Sequence, residues 1–136
     1  MIAYVTVGAD DMTQAECFYS AFLVPLGYKL EKYHGDLSYI LPVAPGQVAT
    51  APDFYVKSPF NGQGASAGNG TMVAFQAQSQ KQVRALHAAA LAAGGSDEGQ
   101  SGFRAAYGQH FYVAYLRDPQ GNKIALFSND PTEPGA

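Results

Sequence analysis

Hydrophobic and polar positions follow the same pattern twice along this chain. When the sequence is shifted by 68 residues, Tyr4–Gly27 falls on Met72–Gly95 without a gap, and six of the 24 residue pairs are identical. In each copy a short alternating stretch, at Ile2–Gly8 and at Thr71–Ala77, predicts a strand with one buried face. A repeat of this kind indicates two copies of one structural unit.

A helix is predicted after each of these strands. Asp11 and Ser79 are residue types that accept a hydrogen bond from a free N–H of the first helical turn, and Gln14 and Gln82 follow at the spacing of a capping box. Apolar residues then recur at spacings of three and four, which places them on one buried side of each helix. These apolar stripes are Ala15, Phe18, Tyr19, Phe22, Leu23 and Leu26 in the first helix, and Val83, Leu86, Ala90 and Leu91 in the second.

Short strands follow each helix and are separated by turns rich in glycine and proline. Asp118–Asn122 predicts a tight hairpin, Ser58–Gly70 a flexible linker, and Thr132–Ala136 a terminus that frays. The predicted strands are Tyr28–Tyr33, Leu37–Val43 and Asp53–Lys57 in the first half, and Phe103–Tyr107, His110–Arg117 and Asn122–Phe127 in the second.

The resulting prediction is an α+β fold in a single domain of 136 residues. It contains two tandem β-α-β-β-β modules, at about 1–58 and 71–130, which are joined by the linker at 59–70. Since neither half can bury both faces of its sheet alone, we expect the two modules to pair into one unit that has a curved mixed sheet.

Composition and charge narrow the possible functions. Only 14% of the residues are charged, the net charge is −3, and no basic cluster occurs, which argues against binding to nucleic acid or to anionic membranes. No stretch has the character of a membrane span or an export signal, and one cysteine cannot form an internal disulfide, so we expect a cytoplasmic protein. Three histidines and one cysteine supply few metal ligands unless carboxylates contribute.

Several local motifs carry a resemblance to a known superfamily. The tandem modules, the Phe18–Tyr19 pair, the Leu26–Tyr28 segment and the run Arg117–Ile124 resemble the vicinal oxygen chelate superfamily, which contains the glyoxalase I, bleomycin resistance and extradiol dioxygenase families. The similarity covers about residues 1–130, and D-P-x-G-N-x-I before the last strand is its most specific part. The resemblance implies sheets that curl around a cup, and it implies a homodimer.

In metal-dependent members of that superfamily the cup holds a divalent ion on His and Glu side chains, and the resemblance places these ligands at three positions of this sequence. The two His positions correspond to Tyr4 and Met72, and the Glu position, directly after Asn-x-Ile, corresponds to Ala125. Tyrosine would bind a metal only as a phenolate, methionine is a soft thioether, and alanine has no donor atom. We therefore expect neither the metal of the family nor another cofactor.

Strand parity turns the residues at these positions toward the predicted cup, whose wall is aromatic, apolar and weakly polar. Such a wall suits a small, flat or apolar molecule with a few hydrogen-bonding groups. The alternative is that Tyr4 and Met72 fill a collapsed cup as part of the core. The predicted ligand-binding residues are Tyr4, Thr6, Tyr39, Tyr55, Met72, Ala74, Gln76, Tyr112, Ala125 and Phe127.

Among the titratable residues, His110 is the candidate general base, because it begins a strand and imidazole titrates near neutral pH. His34 is interpreted as a turn residue and His87 as a boundary residue of the second helix. Arg104 and Arg117 could each hold an anionic group or could be solvated surface charges.

One further motif, Gly64–Gly68, matches the G-x-S-x-G pattern of serine hydrolases, and Asp97 and His110 follow Ser66 in the order of a Ser-Asp-His triad. The hydrolase elbow requires a strand before the serine and a helix directly after it. Here a loop precedes Ser66 and a strand follows, so Ser66 is assigned to the linker.

The sequence therefore favours a protein that binds a small organic molecule in a metal-free cup, for sequestration or for a metal-free reaction. Whether it is an enzyme stays open. The alternative is a metal-dependent lyase or isomerase of the glyoxalase type that recruits its ion through non-standard ligands such as His110.

Overall fold

The computed structural model describes all 136 residues, and its first module contains one helix and four strands. The strands form a mixed sheet in the order β1-β4-β3-β2, with β1 parallel to β4 and the other neighbours antiparallel. Its elements are β1 (Tyr4–Gly8), α1 (Met12–Leu26), β2 (Lys29–Tyr33), β3 (Asp36–Ile40) and β4 (Asp53–Lys57).

The second module repeats this topology. Its sheet has the order β5-β8-β7-β6, again with one parallel pair, and it shares no hydrogen-bonded strand pair with the first sheet. Its elements are β5 (Met72–Gln76), α2 (Gln80–Ala92), β6 (Ser96–Phe103), a 3₁₀ turn (Ala105–Tyr107), β7 (Tyr112–Arg117) and β8 (Lys123–Ser128). The predicted α+β fold of two β-α-β-β-β modules is confirmed.

Both helices begin where the sequence predicts. Asp11 accepts a hydrogen bond from the Gln14 backbone N–H at 2.9 Å, and Ser79 accepts one from the Gln82 N–H at 3.0 Å. After α1 the chain reverses through Gly27, whose φ of 117° lies in the left-handed region that favours glycine. Neither helix is long and apolar enough to cross a bilayer.

The two helices pack against each other and cover the inner faces of the two sheets, so that a single core forms. Aromatic side chains join the modules there: the rings of Phe54 on β4 and Phe75 on β5 lie 5.1 Å apart between centroids, and Phe22 of α1 contacts Phe75 at 5.8 Å. The apolar stripes predicted for the helices face this core, and His87, which was expected at its boundary, is buried in it.

The turn between β7 and β8 is the predicted hairpin. Asp118 Oδ1 accepts hydrogen bonds from the backbone N–H groups of Gln120 and Asn122, and Gly121 adopts a φ of 103°. The Asn122 side-chain amide donates to the Gly8 carbonyl at 2.9 Å, so the turn also fastens the second module to the end of β1.

Two strand predictions were wrong at their boundaries. The strand predicted at Leu37–Val43 ends at Ile40, and the one predicted at Phe103–Tyr107 is replaced by a 3₁₀ turn that follows a longer strand, Ser96–Phe103. Two register shifts interrupt the pairing of β6 with β7, so the residues of β6 do not alternate regularly between the two faces of the sheet. The sequence of β6 accordingly shows no apolar alternation. Pairing with β7, and not a hydrophobic pattern, defines this strand.

The linker and the C-terminus are more firmly attached than expected. Asp10 Oδ1 accepts a hydrogen bond from the Ala65 N–H at 2.8 Å, and the Gln120 side-chain amide donates to the Ala65 carbonyl at 3.0 Å. At the C-terminus, the Ala136 N–H donates to the Gln109 carbonyl at 2.8 Å. Residues Thr132–Ala136, for which the sequence predicts fraying, are thus hydrogen-bonded to the rest of the fold in this structure.

Candidate functional site

The face of each sheet opposite the helices is uncovered. We call the uncovered side of the β1-β4-β3-β2 sheet the first outer face and that of the β5-β8-β7-β6 sheet the second outer face. Strand parity assigns the residues as expected: Val5, Val7 and Val73 pack against the core, whereas Tyr4 and Met72 are 60% and 43% exposed.

The second outer face carries a cavity of about 210 Å³ whose lining is entirely hydrophobic. Its floor contains Ala125, which pairs with Ala74 across β5 and β8, and Val113, which pairs with Phe127 across β7 and β8. The Phe111 ring lies 4.8 Å from the Phe127 ring and closes one end. The cavity is lined by Met72, Ala74, Phe111, Val113, Tyr115, Ala125 and Phe127.

The first outer face is more polar. The rings of Tyr4 and Tyr55 lie 5.2 Å apart, and the Tyr55 hydroxyl donates a hydrogen bond to Asp53 at 3.2 Å. Lys57 and Asp36 form an ion pair of 3.5 Å at the far end of this face. Thr6 lies next to Tyr55 in the strand register, so the two tyrosines and Thr6 share one surface.

The predicted cup residues are therefore divided between two surfaces. Tyr4, Thr6 and Tyr55 lie on the first outer face, while Met72, Ala74, Ala125 and Phe127 line the cavity on the second. Gln76 continues the second outer face at the end of β5. The cavity beside Tyr55 shares no residue with the two cavities beside Met72.

The expectation that Tyr39 and Tyr112 line the cup was wrong, because both side chains lie in the core beneath the helices. The Tyr39 hydroxyl bonds to the Ser20 hydroxyl at 2.9 Å, and the Tyr112 hydroxyl accepts a hydrogen bond from Arg84 at 3.1 Å. Burial raises the pKa of Tyr39 to about 12, and the bond to Ser20 lowers it in part.

The three positions at which the superfamily holds its metal do not present a ligand set. Tyr4 and Met72 lie on different outer faces, and Ala125 has no donor atom. The position equivalent to Ala125 in the first sheet is Tyr55, since Thr6 pairs with Tyr55 as Ala74 pairs with Ala125. Burial and the hydrogen bond to Asp53 raise the pKa of Tyr55, which disfavours the phenolate that would bind a metal.

No group of three or more His, Cys, Asp and Glu side chains is arranged to hold a metal ion. His87 is buried, and its Nε2 atom has no hydrogen-bond partner, with Asp97 Oδ1 3.4 Å away. His34 lies in the turn between β2 and β3 with a φ of 50°. The histidines are thus dispersed over the fold.

His110 lies in the turn before β7, directly before the cavity residue Phe111. Hydrogen bonds from Thr132 lower the pKa of the Asp130 carboxyl, and the nearby charge of His110 lowers it further. Asp130 lines a groove of about 690 Å³ between the modules, where Leu26, Tyr28 and Leu41 form an apolar side. His110 itself lines neither this groove nor the hydrophobic cavity.

The serine motif lacks the geometry of a hydrolase. Ser66 is exposed in an irregular segment that is followed by β5 and not by a helix. Asp97 lies on β6 beside His87, so it is directed to a different histidine from the one that the motif requires. The assignment of Ser66 to the linker agrees with this arrangement.

Sequence reasoning missed three cavity residues, Phe111, Val113 and Tyr115. Around β7 both alternating sets are apolar, because Tyr112, Ala114 and Leu116 face the core. The cavity-facing set could have been recognised from Arg117, because a charged side chain favours an exposed position. Arg117 lies on the same face of β7 as Tyr115 and Val113, which are two and four residues before it.

No family model matches the chain, and no curated protein sequence matches it. Solved structures do. A glyoxalase/bleomycin resistance protein from Albidiferax ferrireducens is 37% identical, over 96% of this chain and 99% of that one, with a TM-score of 0.81. A glyoxalase-related enzyme from Fulvimarina pelagi is 18% identical over 100% and 95% of the chains (TM-score 0.72), and a genomically encoded fosfomycin resistance protein from Listeria monocytogenes is 12% identical over 96% and 94% (TM-score 0.66). The last two share the fold.

Proposed function

The chain belongs to the glyoxalase/bleomycin resistance protein family of the vicinal oxygen chelate superfamily, and we propose that it binds a small, largely apolar or aromatic molecule on its outer sheet faces, without the metal ion that metal-dependent members of the superfamily hold. The observation that carries this proposal is the hydrophobic cavity of about 210 Å³ on the second outer face. An uncovered apolar cavity of this kind costs free energy in water, and a bound apolar ligand recovers it.

The cavity lining favours van der Waals contact with an apolar ligand over coordination of a metal ion. Met72 offers a polarisable thioether that adapts to an aromatic ring, and Phe111 and Phe127 offer ring faces and edges. The small side chains of Ala74 and Ala125 leave the space that a flat molecule would occupy. The lining contains no histidine, cysteine or carboxylate, the side chains that bind divalent metal ions in proteins.

A homodimer is the second part of the proposal. β1 and β5 are edge strands, each paired on one side only, and their exposed residues Tyr4 and Met72 belong to the two outer faces. A two-fold dimer can bring the first outer face of one copy opposite the second outer face of the other, and it does so twice. The ligand would then lie between Tyr4 and Tyr55 of one copy and the hydrophobic cavity of the other.

Two uses of the bound state fit this arrangement: sequestration of the ligand, or a metal-free reaction in which His110, next to Phe111, acts as the general base. The reducing cytoplasm is the expected compartment, since the single cysteine, Cys17, is an exposed free thiol.

The test combines ligand screening with metal analysis. The protein is dialysed against EDTA, and its melting temperature is measured with a panel of neutral aromatic compounds, before and after addition of Zn²⁺, Ni²⁺, Mn²⁺ or Fe²⁺. The proposal predicts stabilisation that grows as RT ln(1+[L]/Kd) and does not depend on metal. Tight stoichiometric metal binding that depends on His110 would favour the metal-dependent alternative. Light scattering at several protein concentrations tests the dimer, and a monomer at every concentration would exclude it.

A further inference from the structure

We infer that the ligand of the second outer face is an organic anion, whose apolar body occupies the hydrophobic cavity and whose carboxylate meets Lys123 and Arg117. This inference rests on the function proposed above and specifies the class of molecule. It follows from the order of side chains along β5, β8 and β7.

The strand register arranges the second outer face in rows. One row holds Met72, Lys123 and Arg117, since Met72 pairs with Lys123 and Lys123 pairs with Arg117. The next row, two residues further along each strand, holds Ala74, Ala125 and Tyr115. Because residues at this spacing face the same side of a sheet, two cations border the hydrophobic cavity at its Met72 end.

Lys123 is directed toward the cavity and has no acidic partner. Its Nζ atom lies 5.2 Å from the centroid of the Tyr115 ring, and none of the four ion pairs of the chain involves it. Arg104 covers the same ring at 5.5 Å. Two of the eight basic side chains therefore lie over Tyr115, in a protein whose net charge is −3.

Glu98 partly neutralises the charge of Arg117, but the guanidinium can still contact a ligand carboxylate. Its Nε donates to Glu98 at 2.6 Å and its Nη1 to the Gly121 carbonyl at 2.8 Å, which holds the guanidinium beside Lys123. A ligand carboxylate at this point would meet one free ammonium and one oriented guanidinium. A cationic ligand would meet like charge.

The linker supplies the opposite side of this charged end. A cavity of about 550 Å³ is lined by Arg117, Lys123, Met72 and the segment 67–71. None of the backbone N–H groups of residues 67–70 donates to another backbone group in the chain. Clustered free N–H groups next to two cations provide donors for anionic oxygens. Met72 lines both spaces, and Lys123, which lines the second, reaches the Tyr115 ring of the first, so the head and the body of one ligand can occupy them together.

Three probes with one aromatic body test this inference by isothermal titration calorimetry: 2-naphthoate (anionic), 2-naphthamide (neutral) and 2-naphthylmethylammonium (cationic). We expect 2-naphthoate to bind about fivefold more tightly than 2-naphthamide, the size of effect that a partly exposed charge pair provides. In Lys123→Met, which keeps an apolar stem over Tyr115, we expect the ratio of the two affinities to fall well below fivefold, because only Arg117 then faces the carboxylate. Lys81→Met removes an equal charge from an exposed site on α2 and keeps the advantage.

Failure of this inference and failure of the proposed function give different results. Equal binding of 2-naphthoate and 2-naphthamide by the wild type, or an advantage that is unchanged in Lys123→Met, overturns the anion inference and leaves the proposed function intact. Tighter binding of the ammonium probe overturns it as well. If none of the three probes binds, the proposed function is contradicted and the inference falls with it.

Discussion

The hydroxyl of Tyr19 donates a 2.5 Å hydrogen bond to Oδ2 of Asp118, and both residues are buried. Tyr19 belongs to the helix of the first module, whereas Asp118 opens the turn between β7 and β8 in the second. Asp118 Oδ2 also accepts a bond from the Asn122 side-chain amide at 2.9 Å. A buried carboxylate is costly unless it is fully hydrogen-bonded, so this pair is a strong constraint on how the modules sit together.

Removing the Tyr19 hydroxyl should destabilise the fold more than removing a comparable neutral bond. We expect Tyr19→Phe to lower the free energy of unfolding by about 1.5–3 kcal/mol, because a buried charged acceptor loses a donor. Tyr39→Phe is the matched control: its hydroxyl is also buried but bonds to the neutral Ser20, so about 1 kcal/mol is expected. Urea denaturation measures both, and equal losses would show that the bond to Asp118 has no special weight.

Alkaline pH should reduce stability through the buried tyrosines. Burial raises the pKa of Tyr39 to about 12, and burial together with Asp118 raises that of Tyr19. Above about pH 10 the unfolded tyrosines lose protons while the folded ones keep them, which favours unfolding by about 1.4 kcal/mol per pH unit for each tyrosine. The contribution is fully present below pH 10 and is lost as the pH rises through the folded pKa.

Urea titrations between pH 8 and pH 11.5 check this sign and its origin. Tyr39→Phe should lose less stability per pH unit than the wild type between pH 10 and pH 11.5, since it has one fewer buried phenol. An identical pH slope for the two proteins would refute the assignment to Tyr39.

Gly95 marks a point where the modules approach closely. A Cβ atom at this position would lie 2.7 Å from Phe18 Cε1 and 3.0 Å from the Ala90 carbonyl oxygen. We expect Gly95→Ala to cost about 1–3 kcal/mol of unfolding free energy, as overpacking does in a close-packed core. Gly64→Ala is the control, since its Cβ would meet nothing nearer than 3.8 Å. Thermal melting of both variants checks this, and a neutral Gly95→Ala would mean that α1 can move away from α2.

The fold was predictable where one signal acts locally and repeats. Asp11 and Ser79 each bond to an N–H three residues on, and this chemistry depends on neighbouring residues alone. β6 was not predictable in this way, because its eight residues acquire their strand conformation by pairing with β7 across two register shifts. The docking of the C-terminus likewise depends on a partner, Gln109, that sequence proximity does not reveal.

The candidate site was predictable only in part. Parity placed Met72 and Ala74 on an uncovered face because β5 has a clear buried set next to them, whereas Ala125 was placed there by the resemblance to the superfamily. Strand parity also predicts that Tyr39 is buried, because Tyr39 lies two residues after the core residue Leu37 and therefore on the same face of β3. The division of the predicted cup between two sheets was hidden from the sequence, since strand order and helix packing decide it.

The most direct test of the account is a calorimetric titration of EDTA-dialysed protein with 2-naphthamide. We expect the wild type to bind without added metal. Ala74→Trp, which fills the cavity from an exposed position, and Ala125→Trp should both abolish binding, whereas Ala88→Trp, on the exposed side of α2, should retain it. Binding that appears only after a divalent metal is added, or that survives unchanged in Ala74→Trp and Ala125→Trp, would contradict a metal-free site on the second outer face.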